Sequence, residues 1–463
     1  MQTGDCDMSD RAPKTSRGPA GRFAATPLGR IAGATLVVGA LTALARSTTV
    51  AREIAAASAF GAGDALDAYL IAYAVPVYLL GAVAGSFQSA FVPRYIAISK
   101  SGDTGAADRL VGTVLAATVL GMGAVTFLLA VAAQFIVPLM AAGFPADKLA
   151  TTLGLLYLMA PAVMLGAVPI VYTAWLNALE RFRVPALLPG VGPLIAVTIL
   201  VLFAPQYGIR ALAVGTVLGA LVEVIVVVFA ARMTGHRLPI PRFKISPDLA
   251  KVGIEFWPLL FGTLLFSSTT LVDQIMAASL EPGSVAALNF GSRVTALVIA
   301  VAGVGVATSV LPTFSKLVAD EDWATLTRTL VQFGAMVVVG AATLSAIIAG
   351  VSAPLTQLLF ERGNFSGADT DLVAAVQFYF ALQLPFFLLS LVLVRLLSAL
   401  SLNRTVFVIT TFNTVLNVVL NYVLMQRLGV AGIALSTTLV HLISTGLFAG
   451  AVVRRLRQAN DSA

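Results

Sequence analysis

Charged residues inside long apolar stretches are the features of this sequence that could do chemistry. Arg46, Arg52 and Glu53 lie in one such stretch, and Arg293 lies in another, far along the chain. A charged side chain within a membrane segment costs roughly 2.5 kcal/mol or more and usually faces a cavity or a partner. The guanidinium group presents a planar fork of donors that fits phosphate oxygens. The arginines therefore predict a site for an anion, and the alternative is structural pairing with Glu53 or Asp67.

A second group of residues supplies uncharged oxygen atoms near one acid. Asp273 lies deep in an apolar stretch, whereas Asn413, Asn417 and Asn421 recur every four residues and so share one face of a helix. Thr437 lies in the following stretch. Carboxylate, amide and hydroxyl oxygens suit a hard cation. The alternative is hydrogen bonding between helices, which Asn and Thr commonly provide in membrane bundles.

No motif in the sequence indicates catalysis. There is no Gly-rich loop of the ATPase type, Cys6 is the single cysteine, and His236 and His441 fit no metal-binding spacing. We therefore expect a protein that is not an enzyme and has no cofactor.

The elements that carry these residues must be membrane helices. Of 463 residues, 58% are hydrophobic and 11% charged, whereas about a quarter of a soluble domain is charged. This composition excludes a soluble globule, a disordered chain and a nucleic-acid-binding domain, despite a net charge of +7. A spanning helix needs roughly 20 apolar residues. Twelve stretches are long enough: 30–59, 66–93, 110–140, 149–178, 185–204, 209–231, 252–280, 285–315, 328–359, 371–400, 405–425 and 431–453.

The basic residues predict the orientation of these spans. If the N-terminus is cytoplasmic, most of the 29 Lys and Arg residues fall in cytoplasmic loops and tails, and Lys148, Arg210, Arg362 and Arg427 fall on the opposite side. Cytoplasmic loops of membrane proteins are enriched in Lys and Arg. We therefore expect a multi-pass membrane protein with both termini in the cytoplasm.

The two halves of the chain resemble each other. When the sequence is aligned with itself at one constant offset, Arg183 aligns with Arg404 and Gly208 aligns with Gly429. Six spans per half make the repeats parallel, related by an axis along the membrane normal with a central cavity between them. The sequence thus predicts two six-helix lobes, an N-terminal one at 29–236 and a C-terminal one at 251–455, joined by a cytoplasmic linker at 237–250. A disordered cytoplasmic tail at 1–28 precedes them, and a second cytoplasmic tail follows at 456–463.

Several motifs resemble the MviN/MurJ family of lipid II flippases. They are Arg46-Ser-Thr-Thr-Val-Ala-Arg52-Glu53, Phe60-Gly-Ala-Gly63, Asp67-Ala68, Ser89-Ala-Phe-Val-Pro93, Leu359-Phe-Glu-Arg-Gly-Asn-Phe365 and Leu428-Gly-Val-Ala-Gly432. Together the similarity covers nearly all of 40–453. It implies the multidrug/oligosaccharidyl-lipid/polysaccharide exporter fold, which is built from two six-helix lobes and agrees with the repeat.

The resemblance also implies roles for the charged residues. Arg46, Arg52 and Arg293 match arginines that engage a lipid-linked pyrophosphate in the central cavity. Glu53 belongs to the same site, and Asp67 matches an acid near the outer end of the second span. We therefore expect these five residues to contact the substrate.

For the oxygen cluster, the resemblance implies a sodium site in the C-terminal lobe. Its ligands would be Asp273, Asn417, Asn421 and Thr437, together with the backbone carbonyl of Ile433. Sodium would then be the candidate coupling ion.

The chain departs from the family at one cavity position and in its number of spans. Where the family has Pro-Asn-Leu-Leu-Arg-Arg, the sequence reads Pro76-Val-Tyr-Leu-Leu80-Gly81, so the family arginine is absent. The sequence has twelve spans, and the family typically has fourteen. The expected substrate is lipid II, the peptidoglycan precursor, or a related polyprenyl-pyrophosphate-linked saccharide, moved by alternating access.

Two other functions stay open at the level of the sequence. One is an ion-coupled exporter of small cationic drugs on the same fold. The other is a membrane scaffold in an envelope-synthesis complex. The expected partners are a lipid-linked saccharide, membrane lipids and envelope-synthesis proteins, without nucleic acid.

Overall fold

The computed structural model describes residues 27–235 and 247–461, and the regular elements in these two ranges are helices. The predicted N-terminal tail and most of the predicted linker therefore lie outside the described residues, and the predicted limits of the lobes stay predictions. The helices of the first half are α1 (Pro27–Phe60), α2 (Asp64–Lys100), α3 (Thr104–Met140), α4 (Ala146–Leu165), α5 (Ala167–Ala178), α6 (Arg183–Leu187), a 3₁₀ turn (Leu188–Gly190), α7 (Val191–Tyr207) and α8 (Ile209–Arg232).

The second half has a parallel set of helices. They are α9 (Pro247–Ala277), α10 (Ser284–Ala319), α11 (Trp323–Gly350), α12 (Ser352–Phe360), α13 (Gly367–Ala381), α14 (Leu384–Ala399), α15 (Asn403–Leu428) and α16 (Val430–Asp461). Within the described residues, 11 helical segments are long and apolar enough to cross a membrane. With α1, a helix of 34 residues that carries the charged motif, they form the twelve predicted spans, six in each half.

Two predicted spans are divided by proline. Span four consists of α4 and α5, and span ten consists of α13 and α14. Proline has no N–H, so it leaves the carbonyl four residues earlier without its helical partner. Pro169 thus accounts for the break after Leu165, and Pro385 for the break after Ala381. The Ser345 hydroxyl donates to the freed carbonyl of Ala381 at 2.8 Å.

A third difference concerns the ninth span, predicted at 328–359. It ends earlier, at Gly350, and the rest of the predicted stretch forms the separate short helix α12.

The backbone confirms the internal repeat. Glu180 and Ser401, which end corresponding helices, both have a φ of 59°. Gly208 and Gly429 join the last two spans of each half, with φ of 57° and 56° and the same ψ of −139°. This region of backbone space is accessible essentially to glycine alone. The aligned glycines are therefore required by an identical turn between the last two spans of each half.

The two lobes meet at both ends of the molecule. At the predicted outer end, the backbone N–H of Asn364 donates to the Ser58 carbonyl at 2.8 Å, and its side-chain amide donates to the Ala59 carbonyl at 2.7 Å. At the opposite end, Arg94 of α2 forms an ion pair with Asp248 of α9. Helices α2 and α9 also pack along each other. The lobes therefore enclose the space between these two junctions.

Candidate functional site: a central cavity between the lobes

A cavity of about 770 Å³ lies between the lobes. Helices α1 and α2 of the first half form one side, and α9, α10, α14, α15 and α16 of the second half form the rest. Its lining includes Arg52 and Arg293 from the predicted anion site, together with Asp273, Asn417 and Thr437 from the predicted cation site. The structure thus brings residues of both predicted sites to one cavity.

The arginines converge on one carboxylate from two different helices. Glu53 Oε1 on α1 lies 2.8 Å from Arg293 Nη2 on α10 and 4.0 Å from Arg52 Nη2. The Arg52 guanidinium also lies 5.7 Å from the centre of the Tyr73 ring, a cation–π distance. Glu53 is 5% exposed, whereas the Arg293 side chain keeps 39% of its surface accessible. Arg293 is therefore available to a molecule in the cavity.

Arg46 lies on an exposed face of α1, outside the residues that line the cavity. Its charge nevertheless repels that of Arg293, as does the charge of Arg52. In the part of the chain that the structure describes, Glu53 is the acid that pairs with Arg52 and Arg293. One negative charge against the two positive charges of Arg52 and Arg293 leaves an excess that a phosphate group would neutralise.

Asp67 lies away from this cluster, in a fully paired environment. It is 1% exposed. Its carboxylate accepts from the backbone N–H groups of Gly283 at 2.7 Å and Ala286 at 2.8 Å, at the start of α10, and lies 3.0 Å from Lys148 Nζ. It therefore joins the first half of the molecule to the second, and a contact with substrate stays a prediction for this residue.

The predicted cation site is assembled from three helices. Asn421 Nδ2 on α15 donates to Asp273 Oδ1 on α9 at 2.6 Å and to Asn417 Oδ1 at 3.4 Å. The Ser436 hydroxyl on α16 contacts Asn421 Oδ1 and lies 2.8 Å from the carbonyl oxygen of Ile433. Sequence reasoning missed Ser436, although its place three residues after Ile433 puts it on the same face of α16.

The atoms of this cluster can be compared with the needs of different cations. Thr437 Oγ1 donates to the Ile433 carbonyl oxygen at 3.2 Å, and Thr437 lines the same cavity as Asp273. Among the described residues, no three His, Cys, Asp or Glu side chains lie close enough together to hold a metal ion. A single carboxylate with neutral oxygen atoms fits a monovalent hard cation better than a transition metal.

The family arginine that the sequence lacks can now be placed. Leu80 occupies the space beside Gly166, within the first lobe. Ala74 and Val77 of the same helix line the cavity, and continuing their spacing along α2 reaches Gly81 instead. Leu80, where the sequence departs from the family arginine, therefore lies outside the described lining of the cavity.

Comparisons with known proteins agree in fold and family. The family model described as lipid II flippase MurJ matches residues 56–462. A probable lipid II flippase MurJ of Synechocystis sp. is 27% identical over 450 residues, covering 93% of this chain and 82% of the relative. The corresponding protein of Thermotoga maritima is 28% identical over 413 residues, covering 88% and 82%.

Solved structures share the fold. A lipid II flippase MurJ in an inward closed conformation aligns with a TM-score of 0.76 at 20% identity, covering 92% of this chain and 90% of that one. An inward-facing multidrug transporter of the MATE family also aligns with a TM-score of 0.76, at 14% identity, covering 90% and 96%. The two-lobed exporter fold expected from the sequence is confirmed.

Proposed function

Because the chain belongs to the lipid II flippase MurJ family, we propose that it moves lipid II, or a related polyprenyl-pyrophosphate-linked saccharide, across the membrane. It is a multi-pass transporter of the inner membrane and not an enzyme. The excess of positive charge around Glu53 is the observation that carries the proposal. A pyrophosphate supplies the negative charge that this cluster lacks.

The residues around the cavity divide the work of binding. Arg52 and Arg293 hold the pyrophosphate, because both line the cavity and come from different halves of the molecule. Glu53 orients these two guanidinium groups when no substrate is bound. Arg46 attracts the anion along the exposed face of α1, and Asp67 holds the two halves together at the outer end.

Translocation follows from relative movement of the two lobes. A pyrophosphate bound between Arg52 of α1 and Arg293 of α10 favours lobes that stay close around it. When the outer junction opens and the inner junction closes, the headgroup reaches the other side while the polyprenyl tail stays in lipid. Both termini lie in the cytoplasm in this scheme, as the positive-inside rule predicts.

Sodium is the candidate ion for resetting the transporter. Asp273, Asn417, Asn421, Thr437 and the carbonyl of Ile433 supply oxygen atoms within the second lobe, next to the cavity. A cation bound there neutralises Asp273, and its release would restore that charge. The ion would thereby bias the second lobe between two arrangements.

A drug exporter is the second candidate, because a multidrug transporter shares the fold. A cationic drug needs acidic and aromatic contacts; the described lining offers aromatic rings, but it places two arginines against a single acid, Asp273. The charge of the cavity therefore favours an anionic headgroup. A scaffold within an envelope-synthesis complex is separated from a flippase by transport activity alone.

The test of the proposed function is complementation of cells depleted of their own lipid II flippase. Wild-type protein is expected to restore growth, and Arg52→Ala and Arg293→Ala are expected to abolish rescue at normal membrane levels. Arg46→Ala is expected to weaken rescue. Rescue by all three variants would refute the arginine site, and failure of well-expressed wild type would refute lipid II as the substrate.

A further inference from the structure

Part of the cavity lining in the second half of the molecule consists of uncharged polar side chains next to Asp273. Thr410, Asn413 and Thr414 lie on one face of α15, with Gln274 of α9 and Ser390 of α14 nearby in the same lining. We name these five residues the acceptor wall. These residues carry no positive charge to neutralise a pyrophosphate, so their polarity points to a different partner.

The hydroxyl groups of this wall already donate their hydrogen bonds within the protein. Those of Thr410, Thr414 and Ser390 donate to backbone carbonyls of their own helices at 2.9, 3.3 and 2.8 Å. A hydroxyl that donates in this way still has oxygen lone pairs to accept with. Toward the cavity, these residues therefore act as acceptors.

Two amide oxygens add to this imbalance. Asn413 Oδ1 and Gln274 Oε1 are buried and have no hydrogen-bond partner within the described parts of the chain. A buried acceptor without a donor loses the full free energy of its hydration. Both oxygens would gain from a molecule in the cavity that brings O–H or N–H groups.

We propose that the acceptor wall binds the hydroxyl groups of the saccharide while the arginines hold the pyrophosphate. This proposal rests on the function proposed above and adds the part of the substrate that the second lobe recognises. A pyrophosphate has acceptors only, and its oxygens would face lone pairs on this wall. A saccharide has many O–H donors, so the two walls fix the headgroup in one orientation.

Sodium is the competing occupant of the wall. The row on α15 continues one turn further to Asn417 at the predicted cation site, and neutral oxygens also suit a cation in transit. The carboxylate of Asp273, by contrast, would bind a cation at the predicted cation site. A binding experiment with both ligands separates a saccharide wall from a cation path.

The experiment measures binding of two lipids to purified protein in nanodiscs by native mass spectrometry, with and without sodium. One lipid is lipid II, and the other is a polyprenyl pyrophosphate without saccharide. The variants are Asn413→Leu and Gln274→Leu, which remove an acceptor while keeping volume. Thr411→Val is the matched control, because Thr411 lies on an exposed face of α15 and its hydroxyl donates within the helix at 2.9 Å.

Loss of a hydrogen bond predicts that each Leu variant binds lipid II about fivefold to tenfold more weakly. Binding of the saccharide-free lipid is expected to change less than twofold, and Thr411→Val should match wild type with both lipids. Equal weakening with both lipids, unchanged binding of lipid II, or a change in sodium dependence alone would each overturn the proposal.

The proposed function is checked separately in the same assay. Arg293→Ala is expected to weaken both lipids equally, because both carry the pyrophosphate. If Arg293→Ala changes neither lipid while the Leu variants still discriminate, the arginine site fails and the acceptor wall stands.

Discussion

Two buried carboxylates show how similar charges serve different purposes. Asp67 is enclosed by Lys148 and two backbone N–H groups, all within 3.0 Å. Glu53 is shared between Arg52 and Arg293, and its cluster keeps an excess of positive charge. The first arrangement is complete without a ligand, and the second is completed by an anion. Balance of charge, more than burial, separates a structural junction from a binding site.

The largest effect on stability is expected from removing Asp67, whose carboxylate is fully paired. Asp67→Ala leaves Lys148 with Asp64 alone, 2.7 Å away, and deprives the start of α10 of its acceptor. Breaking a buried pair costs about 3 kcal/mol or more, so we expect a lower melting temperature of the purified protein and reduced membrane levels. A stable Asp67→Ala protein that has lost transport would instead place Asp67 in contact with the substrate.

Changing the cluster around Glu53 should affect substrate binding more than stability. Arg293→Ala removes a charged hydrogen-bond donor to the pyrophosphate, so we expect lipid II binding to fall about tenfold or more. The melting temperature should fall less than for Asp67→Ala, because the Arg293 side chain is 39% accessible and Glu53 keeps Arg52 at 4.0 Å. Arg210→Ala, at an exposed position outside the cavity, is the control. Equal melting and binding losses for Arg293→Ala would make the cluster structural.

The cation site offers a third comparison within the same cavity. Asp273→Asn keeps the shape of the side chain but removes its charge. Transport of lipid II in proteoliposomes should then lose its dependence on a sodium gradient and slow severalfold, while lipid II binding is retained. Transport that depends on sodium equally in wild type and Asp273→Asn would remove sodium from this site.

The smallest effect concerns the position of the missing family arginine. Gly81→Arg adds a guanidinium group at an exposed position one helical turn beyond Val77 of the cavity lining, so we expect lipid II to bind about threefold more tightly. Leu80→Arg places the same group against Gly166 inside the first lobe, and we expect a loss of stability instead. Tighter binding with Leu80→Arg and not with Gly81→Arg would show that position 80 faces the substrate.

Much of the architecture could be predicted because it depends on composition and periodicity. Length and apolar content predicted the spans, and the alignment of Gly208 with Gly429 predicted the internal repeat, whose two turns have the same backbone conformation. The breaks in spans four and ten were harder to place. Pro169 and Pro385 show that a break exists, but the carbonyl it frees and the partner that satisfies it depend on tertiary packing.

The site was only partly predictable for the same reason. Residue type identified Arg52, Arg293 and Asp273 as unusual in a membrane, and the structure places all three at one cavity. Sequence spacing could not separate Asp67 from Glu53, because the partners of Asp67 lie far along the chain. Nor could it show that hydroxyls such as those of Thr410 and Thr414 donate to their own backbone.

The most direct measurement is the affinity of Glu53→Gln for a polyprenyl pyrophosphate without saccharide. Removing the negative charge leaves the arginines less neutralised, so we expect binding at least about threefold tighter than wild type. We expect the opposite change for Arg293→Ala. Weaker binding by Glu53→Gln, or no change in either variant, would contradict the claim that the excess positive charge of this cluster holds the substrate.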